Sequence, residues 1–125
     1  MAQYVEFLLL MIFFHIVDDY YLQGWLASAK QKEWWQKNAP QSLYKYDYLM
    51  ALLMHSISWS TMIMFPILFH SFFIITYKFL FMWLFNVVIH FITDNEKANN
   101  KSINLIQDQL IHMIQIGITF YVMFF

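Results

Sequence analysis

The chain has 125 residues, of which 61% are hydrophobic, 22% are aromatic and only 12% are charged, and its formal net charge is −1. Soluble domains carry about a quarter charged residues, so this composition excludes an ordinary soluble domain and indicates an integral membrane protein. The near-zero net charge gives no sign of a nucleic-acid partner. The absence of cysteine excludes disulfides, thiolate metal sites and cysteine nucleophiles.

Four apolar segments follow one another along the chain, each long enough to cross a bilayer at ~20 residues per crossing. They cover about residues 4–23, 46–68, 71–93 and 103–125. The sequence therefore predicts one all-α domain over residues 1–125, an integral membrane bundle of four transmembrane helices. The proline in MFPILFHSFF predicts a tight turn between the second and third helices, near Pro66 to Ser71.

Two polar connections separate the segments, GWLASAKQKEWWQKNAPQSLYKYD and DNEKANNKS. The part LASAKQKEWWQKN predicts a short amphipathic helix at the interface, with its lysines facing water and its end at Asn38-Ala39-Pro40. Six of the seven lysines lie in or beside these connections. The positive-inside rule then predicts a multi-pass protein of the inner (cytoplasmic) membrane with both termini outside. The lipid bilayer is its expected partner, and self-association to complete a cavity stays open.

Ionisable side chains recur at one depth of the predicted bundle. His15 and Asp19 close the first segment, and His55 lies in the first half of the second. Two further pairs, at the end of the third segment and in the first half of the fourth, are His90 with Asp94 and Asp108 with His112. Because successive helices run in opposite directions, all of these residues fall in the cytoplasmic half.

The spacing of these residues predicts a shared site. Three of the His/Asp pairs are four residues apart, which puts both members on one helix face, and Asp18 lies close to the first pair. A lone charge at membrane depth costs at least ~2.5–3.5 kcal/mol, so such groups need partners. A divalent ion meets that need, and imidazole with carboxylate suits zinc, manganese or iron, as one or two ions.

The predicted roles follow from this interpretation. The candidate metal ligands are His15, Asp19, His90, Asp94, Asp108 and His112. His55 and Asp18 are the candidates for general acid and base catalysis, with His55 also open as a further ligand. Three side chains are expected to support the ligands from behind: Gln23, Gln109 and Lys97.

The ordered motifs resemble the domain of unknown function 3307 family. They are His15-x-x-x-Asp19-Tyr20-x-Leu22-Gln23, a lysine-bearing loop, His55, His90-x-x-x-Asp94-x-x-Lys97 and Asp108-Gln109-x-x-His112. The resemblance runs from about Phe7 to Gln115, with Tyr20 where phenylalanine is expected and an extra acid at Asp18. It implies a small multi-helix membrane protein of a bacterium or phage, and it says more about fold and site than about activity. The site chemistry is also similar, more loosely, to that of membrane-bound metal-dependent hydrolases.

Three functions remain open at this point. The first is a metal-dependent membrane hydrolase acting on phosphoester or lipid-headgroup substrates. The second is a proton or divalent-ion transporter or channel that uses the same residues, although the outer half of the predicted bundle offers few polar groups. The third is a non-catalytic phage or bacterial membrane scaffold in which a metal ion is structural.

Overall fold

The computed structural model describes residues 2–125; Met1, which the predicted domain includes, lies outside them. The described residues form helices and turns with no strand, which confirms the all-helical prediction. The six α-helices are α1 (Ala2–Ile16), α2 (Leu26–Ala29), α3 (Lys32–Asn38), α4 (Asp47–His70), α5 (Tyr77–Asn95) and α6 (Leu105–Phe124). A π-helical turn, Val17–Leu22, continues α1, and a second one, Glu96–Asn100, continues α5.

The four long helices form an antiparallel bundle. α1 packs on α4, α4 on α5, α5 on α6, and α6 returns to α1 in the sparsest of these four interfaces. An apolar layer fills one end of the bundle, built around Trp59, Ile63, Phe79, Met82 and Ile116. The other end carries the two polar connections. They are joined there because the Asn99 side chain donates to the Lys30 carbonyl (3.1 Å) and accepts from the Lys32 amide (2.7 Å).

Local signals explain where the later helices begin. The Thr76 side chain accepts a hydrogen bond from the Phe79 amide (3.1 Å) and caps α5. Asn104 and Gln107 form a reciprocal capping box at the start of α6. These caps satisfy amide groups that have no partner within the helix.

The predicted turn between the second and third helices was placed too early. α4 continues through Pro66 to His70, and α5 begins at Tyr77, not Ser71. The turn is held by the Ser71 hydroxyl, which donates to the Leu68 and Ile74 carbonyls, and it places Phe72 and Phe73 at positive φ. No glycine marks this turn, so the sequence offered no local signal for its position.

The predicted interfacial helix is also wrong in detail. It is two helices, α2 and α3, separated at Lys30 and Gln31, where Gln31 has extended backbone. The break turns Lys30 inward, so the prediction that the lysines of this segment face water fails for Lys30. The predicted end at Asn38 is confirmed.

One helical stretch, Ser42–His70, is long and apolar enough to cross a membrane by length and composition. It comprises α4 and the 3-10 turn before it. The four-span arrangement is therefore not confirmed, and the other three predicted spans stay predictions.

The interior contains many polar side chains, and large apolar side chains lie on the surface. Among residues 3–125 the buried set contains fourteen polar or charged residues and twelve hydrophobic ones. Large apolar side chains instead lie exposed on all four long helices, for example Phe13, Phe69, Phe81 and Tyr121. Soluble monomers rarely expose apolar surface on this scale.

Candidate metal centre

Four helices deliver eight ionisable side chains to one buried cluster near the polar connections. Each of these residues is at most 8% exposed: His15, Asp18, Asp19, His55, His90, Asp94, Asp108 and His112. The structure thus brings together all of the ligand and catalytic candidates predicted from the sequence. The π turn after α1 lies over the cluster and buries both Asp18 and Asp19, whereas the sequence left open which of them points inward. π-helical turns are frequent at functional sites.

Six of the eight residues form three groups whose ligand atoms lie within 4.8 Å of one another. The groups are Asp19/His55/His90, His90/Asp94/His112 and Asp19/Asp108/His112. Each group has at least one imidazole and one carboxylate, the ligand types that suit zinc, manganese and iron.

The distances between imidazole nitrogens and carboxylate oxygens match the spacing of ligands around one ion. They are 3.3 Å for His55 Nε2 to Asp19 Oδ1, 3.4 Å for His112 Nε2 to Asp108 Oδ1 and 3.7 Å for His90 Nε2 to Asp94 Oδ1. Metal–ligand bonds of about 2.1 Å place neighbouring ligand atoms about 3.0–3.5 Å apart. These three pairs are within a few tenths of an ångström of that spacing, and the other ligand-atom pairs within each group lie within 4.8 Å.

Several buried atoms of the cluster have no hydrogen-bond partner. They are Oδ2 of Asp18, both ring nitrogens of His90, Oδ1 of Asp108 and Nε2 of His112. A buried polar atom left unpaired costs about 1–3 kcal/mol, so native structures leave few of them. Their concentration in one cluster, with lone pairs facing each other, is typical of a cation site.

Two carboxylates have their oxygens divided between different partners. Asp94 Oδ1 faces His90 and His112, whereas Asp94 Oδ2 accepts from Lys30 Nζ at 2.6 Å. Asp108 Oδ1 faces His112, whereas Asp108 Oδ2 accepts from Lys97 Nζ at 2.6 Å. Asp108 thus has one oxygen on His112 and the other on Lys97. Both oxygens of Asp94 lie near imidazoles, because Oδ2 is also 3.5 Å from His55 Nε2.

Lys97 lies in the connection after α5. Burial lowers its pKa, but the hydrogen bond and charge of Asp108, with the charges of Asp94 and Asp19, outweigh this and raise the pKa above its ordinary value. Lys97 is thus held as a cation beside Asp108, and its supporting role at the site stays a prediction.

His15 is placed differently from the other histidines. Trp59 Nε1, which can only donate, lies 2.7 Å from His15 Nδ1, so Nδ1 is the acceptor. The Gln109 amide nitrogen faces Asp19 Oδ2 (3.1 Å) and Asp108 Oδ2 (3.0 Å), so its oxygen accepts from His15 Nε2 (3.0 Å). Both ring nitrogens are engaged, and none of the three ligand groups found among the described residues contains His15.

The same reasoning fixes the tautomer of His112. Gln115 Nε2 lies 3.3 Å from the Asn86 carbonyl oxygen, which can only accept, so the Gln115 amide oxygen faces His112 Nδ1 at 3.2 Å. Nδ1 therefore carries a proton, and in a neutral imidazole Nε2 would have its lone pair directed at the cluster. The Asn86 side chain in turn donates to Thr119 Oγ1 at 2.8 Å.

His55 lies between two carboxylates. Its Nε2 faces Asp19 Oδ1, and its Nδ1 lies 3.6 Å from Asp18 Oδ2, while Ser58 donates to Asp18 Oδ1 at 2.6 Å. This is the arrangement of a ligating imidazole with a carboxylate behind it. This geometry agrees with the ligand role that the sequence left open for His55, and the catalytic role of Asp18 stays a prediction.

The predicted supporting glutamines both contact Asp19. Gln23 Nε2 donates to the Asp19 carbonyl and to its Oδ1 (3.2 Å), and Gln109 donates to its Oδ2. Sequence reasoning missed three further contributors: Lys30, Trp59 and Gln115. Trp59 also stacks on His90, with ring centroids 4.2 Å apart and an interplanar angle of 19°. The spacing from His55 to Trp59 and from His112 to Gln115 was the available signal, because residues three or four apart share a helix face.

Comparisons with known proteins found no matching family model, no matching curated protein and no matching solved structure. The resemblance to the domain of unknown function 3307 family therefore stays a prediction.

Proposed function

We propose that the chain is a metal-dependent membrane hydrolase acting on phosphoesters, with its metal centre in the His/Asp cluster. The observation that carries this proposal is the convergence of buried ligand atoms from α4, α5, α6 and the π turn after α1, several of them without a hydrogen-bond partner among the described residues. Divalent cations would pair with the unpaired atoms that offer a lone pair, which are Oδ1 of Asp108, Nε2 of His112 and one ring nitrogen of His90.

The overlap of the three ligand groups limits how two ions would be arranged. A neutral imidazole has one lone pair, so His90 and His112 cannot each serve two ions, whereas a carboxylate can bridge. The two groups that share a carboxylate are Asp19/His55/His90 and Asp19/Asp108/His112. We infer that, in a two-ion centre, Asp19 would be the carboxylate available to both ions and Asp94 would supply a further ligand.

The net charge of the buried cluster is consistent with the binding of at least one divalent ion. Four buried carboxylates face the two lysines Lys30 and Lys97, so two negative charges remain uncompensated when the histidines are neutral. One divalent ion neutralises the cluster. A second ion would leave it with two positive charges, which suits a phosphate dianion.

An open side favours catalysis over a purely structural metal. Asp19 and Asp94 line a cavity of about 460 Å³ that also contains Lys30, Lys97 and Lys101; we call it the lysine pocket. Structural metal sites are closed by protein ligands, whereas catalytic sites keep a position for water or substrate. In the proposed hydrolysis the water oxygen bonds to phosphorus and the bond from phosphorus to the ester oxygen breaks. One water proton ends on the leaving alcohol, and the bound metal supplies an activated water near neutral pH.

Placement in a membrane rests on the distribution of side chains between the interior and the surface. With charged groups inside and large apolar groups outside on four long helices, a bilayer is the solvent that satisfies both surfaces. We propose four spans, with the lysine pocket on the cytoplasmic side by the positive-inside rule.

The test is phosphate release by the detergent-purified protein from p-nitrophenyl phosphate and from phosphatidic acid in mixed micelles. Chelation should abolish release, and manganese or zinc should restore it. Asp94→Asn should lower the rate by about 100-fold, because ligand loss removes the activated water. Asp47→Asn, a matched change at the start of α4 and outside the cluster, should leave the rate of phosphate release unchanged. Release that is insensitive to chelation would exclude the hydrolase.

A second candidate, ion conduction, has one specific observation in its favour. The buried hydrogen-bond chain from His112 through Gln115 and Asn86 to Thr119 extends the polar cluster away from the lysine pocket. At Asn86 the chain contacts Met64, a residue of the apolar layer (3.8 Å from Nδ2 to Sδ), and we therefore rank conduction second. Metal or proton flux into proteoliposomes that is lost in Asn86→Leu would favour conduction over hydrolysis.

A further inference from the structure

A second cavity lies on the side of the bundle. This groove of about 560 Å³ runs between α1 and α6, the sparsest interface among the four long helices, and is lined by Ile12, Ile16, Tyr21 and Met113. We call it the side groove. His15 and Gln109 also line it, and Gln109 contacts both Asp19 and Asp108. The side groove therefore extends from apolar surface to two side chains that position the ligands of the centre.

The side groove and the lysine pocket meet at Tyr20. This residue lines both cavities and is 55% exposed. The lysine pocket contains three lysines and two carboxylates of the centre. The side groove has mainly aliphatic and aromatic walls. A ligand that filled both would have an anionic head at the polar end and a hydrocarbon chain along the membrane-facing side.

We propose that the substrate is a phospholipid-type amphiphile, with its phosphate in the lysine pocket and its hydrocarbon chain in the side groove. This inference rests on the proposed function and names its substrate class. Charge complementarity supports the head position, because Lys101 has 61% of its side chain exposed and its partner Glu33 is 70% exposed, so solvent screens their ion pair. Metal ions bound to Oδ1 of Asp94 and Asp108 would reduce the negative charge of these carboxylates and so weaken their ion pairs with Lys30 and Lys97. Both lysines would then be free to bind phosphate.

Another apolar groove on the surface provides the control. It lies between α4 and α5, is lined by Leu49, Met50, Leu53 and Phe91 among others, and contains no side chain of the centre. Met50 there and Ile16 in the side groove are both exposed apolar residues, 60% and 43% respectively. A tryptophan at either position adds similar bulk, but only Ile16→Trp blocks the proposed chain site.

The experiment measures equilibrium binding of phosphatidic acid, glycerol 3-phosphate and diacylglycerol to the detergent-purified full chain, with the metal content of each sample determined in parallel. Phosphatidic acid should bind at least about tenfold more tightly than either part alone, because loss of even two buried methylenes costs about tenfold. Ile16→Trp should lower the affinity for phosphatidic acid by about tenfold and leave the affinity for glycerol 3-phosphate unchanged. Lys101→Gln should lower the affinity for both phosphatidic acid and glycerol 3-phosphate. Met50→Trp should change neither affinity.

The outcomes separate the two proposals. Protein that holds metal but binds phosphatidic acid and glycerol 3-phosphate equally well overturns the lipid inference alone, as does an equal effect of Ile16→Trp and Met50→Trp. Wild-type protein without metal overturns the proposed function and this inference with it. If Ile16→Trp does not fold, Tyr20→Ser replaces it, and an unchanged preference for phosphatidic acid in that variant overturns the inference.

Discussion

Trp59 Nε1 donates a 2.7 Å hydrogen bond to His15 Nδ1, and this bond gives His15 a different role from the other histidines of the cluster. It forces the proton of His15 onto Nε2, which then donates to Gln109. With its oxygen held by His15, Gln109 donates from its amide nitrogen to Asp19 and Asp108 and so fixes the orientation of both carboxylates. A tryptophan on α4 thus positions two carboxylates on other elements without contacting them.

Replacing Trp59 with phenylalanine tests this relay. The ring stays, but the donor is lost, so His15 is free to change tautomer and Gln109 no longer holds the two carboxylates. We expect metal affinity to fall by about tenfold, the usual cost of losing a partner behind the ligands. Metal titration against a competing chelator measures it. Trp83→Phe, which removes a bond to Thr61 far from the cluster, is the matched control, and an equal effect of both changes would refute the relay.

The two classes of histidine should also differ in stoichiometry. His15→Gln keeps a donor towards Gln109, so the protein should still bind its full complement of metal, with affinity reduced by about tenfold. His90→Gln should lose metal because His90 belongs to two ligand groups. Atomic absorption of equilibrium-dialysed samples decides between them. If His15→Gln lost all of its metal, His15 would be a metal ligand, as the sequence predicted.

Lys30 should matter most when metal is absent. Its side chain is 12% exposed and pairs with Asp94, which is 2% exposed, so Lys30→Met leaves a buried carboxylate with less compensation. The free energy of unfolding of metal-free protein should fall by about 3–5 kcal/mol. Added metal should stabilise Lys30→Met more than wild type, since the ion takes over the neutralisation. Thermal unfolding with and without metal measures both effects; Lys101→Met, which breaks an exposed pair with Glu33, should change little. Equal metal stabilisation of wild type and Lys30→Met would contradict the idea.

The proposed four-span topology can be tested directly because the chain has no cysteine. Asn100→Cys places a thiol in the connection after α5, and Phe72→Cys places one in the turn between α4 and α5, where Phe72 is 87% exposed. An impermeant thiol reagent added to intact cells should label Phe72→Cys and leave Asn100→Cys unlabelled until the cells are opened. Labelling of both positions in intact cells would rule out the predicted orientation.

The sequence predicted the cluster because its two governing constraints are local. Helical periodicity puts His90 with Asp94 and Asp108 with His112 on single faces, and alternating helix directions bring those faces to one depth. The turn before Tyr77 was placed too early because hydrogen bonds of Ser71, not a glycine, hold it. Lys30 was expected in water because its inward turn depends on a break after α2 that no proline or glycine marks.

The role of His15 could not be predicted for a further reason. Its tautomer depends on Trp59, 44 residues away, and on Gln109, 94 residues away. Nothing in the local pattern HIVDD distinguishes it from HFITD, which contains His90. A ligand and a positioning residue have the same local sequence here and differ only in their tertiary contacts.

Elemental analysis of the purified protein tests the central claim most directly. Wild type and His70→Ala, which removes the one histidine outside the cluster, should each carry about one or two equivalents of a transition metal. The double change His90→Ala with Asp94→Ala should carry none while remaining folded by circular dichroism. Stoichiometric metal that persists in the double variant, or its absence from wild type, would contradict a metal centre at this cluster.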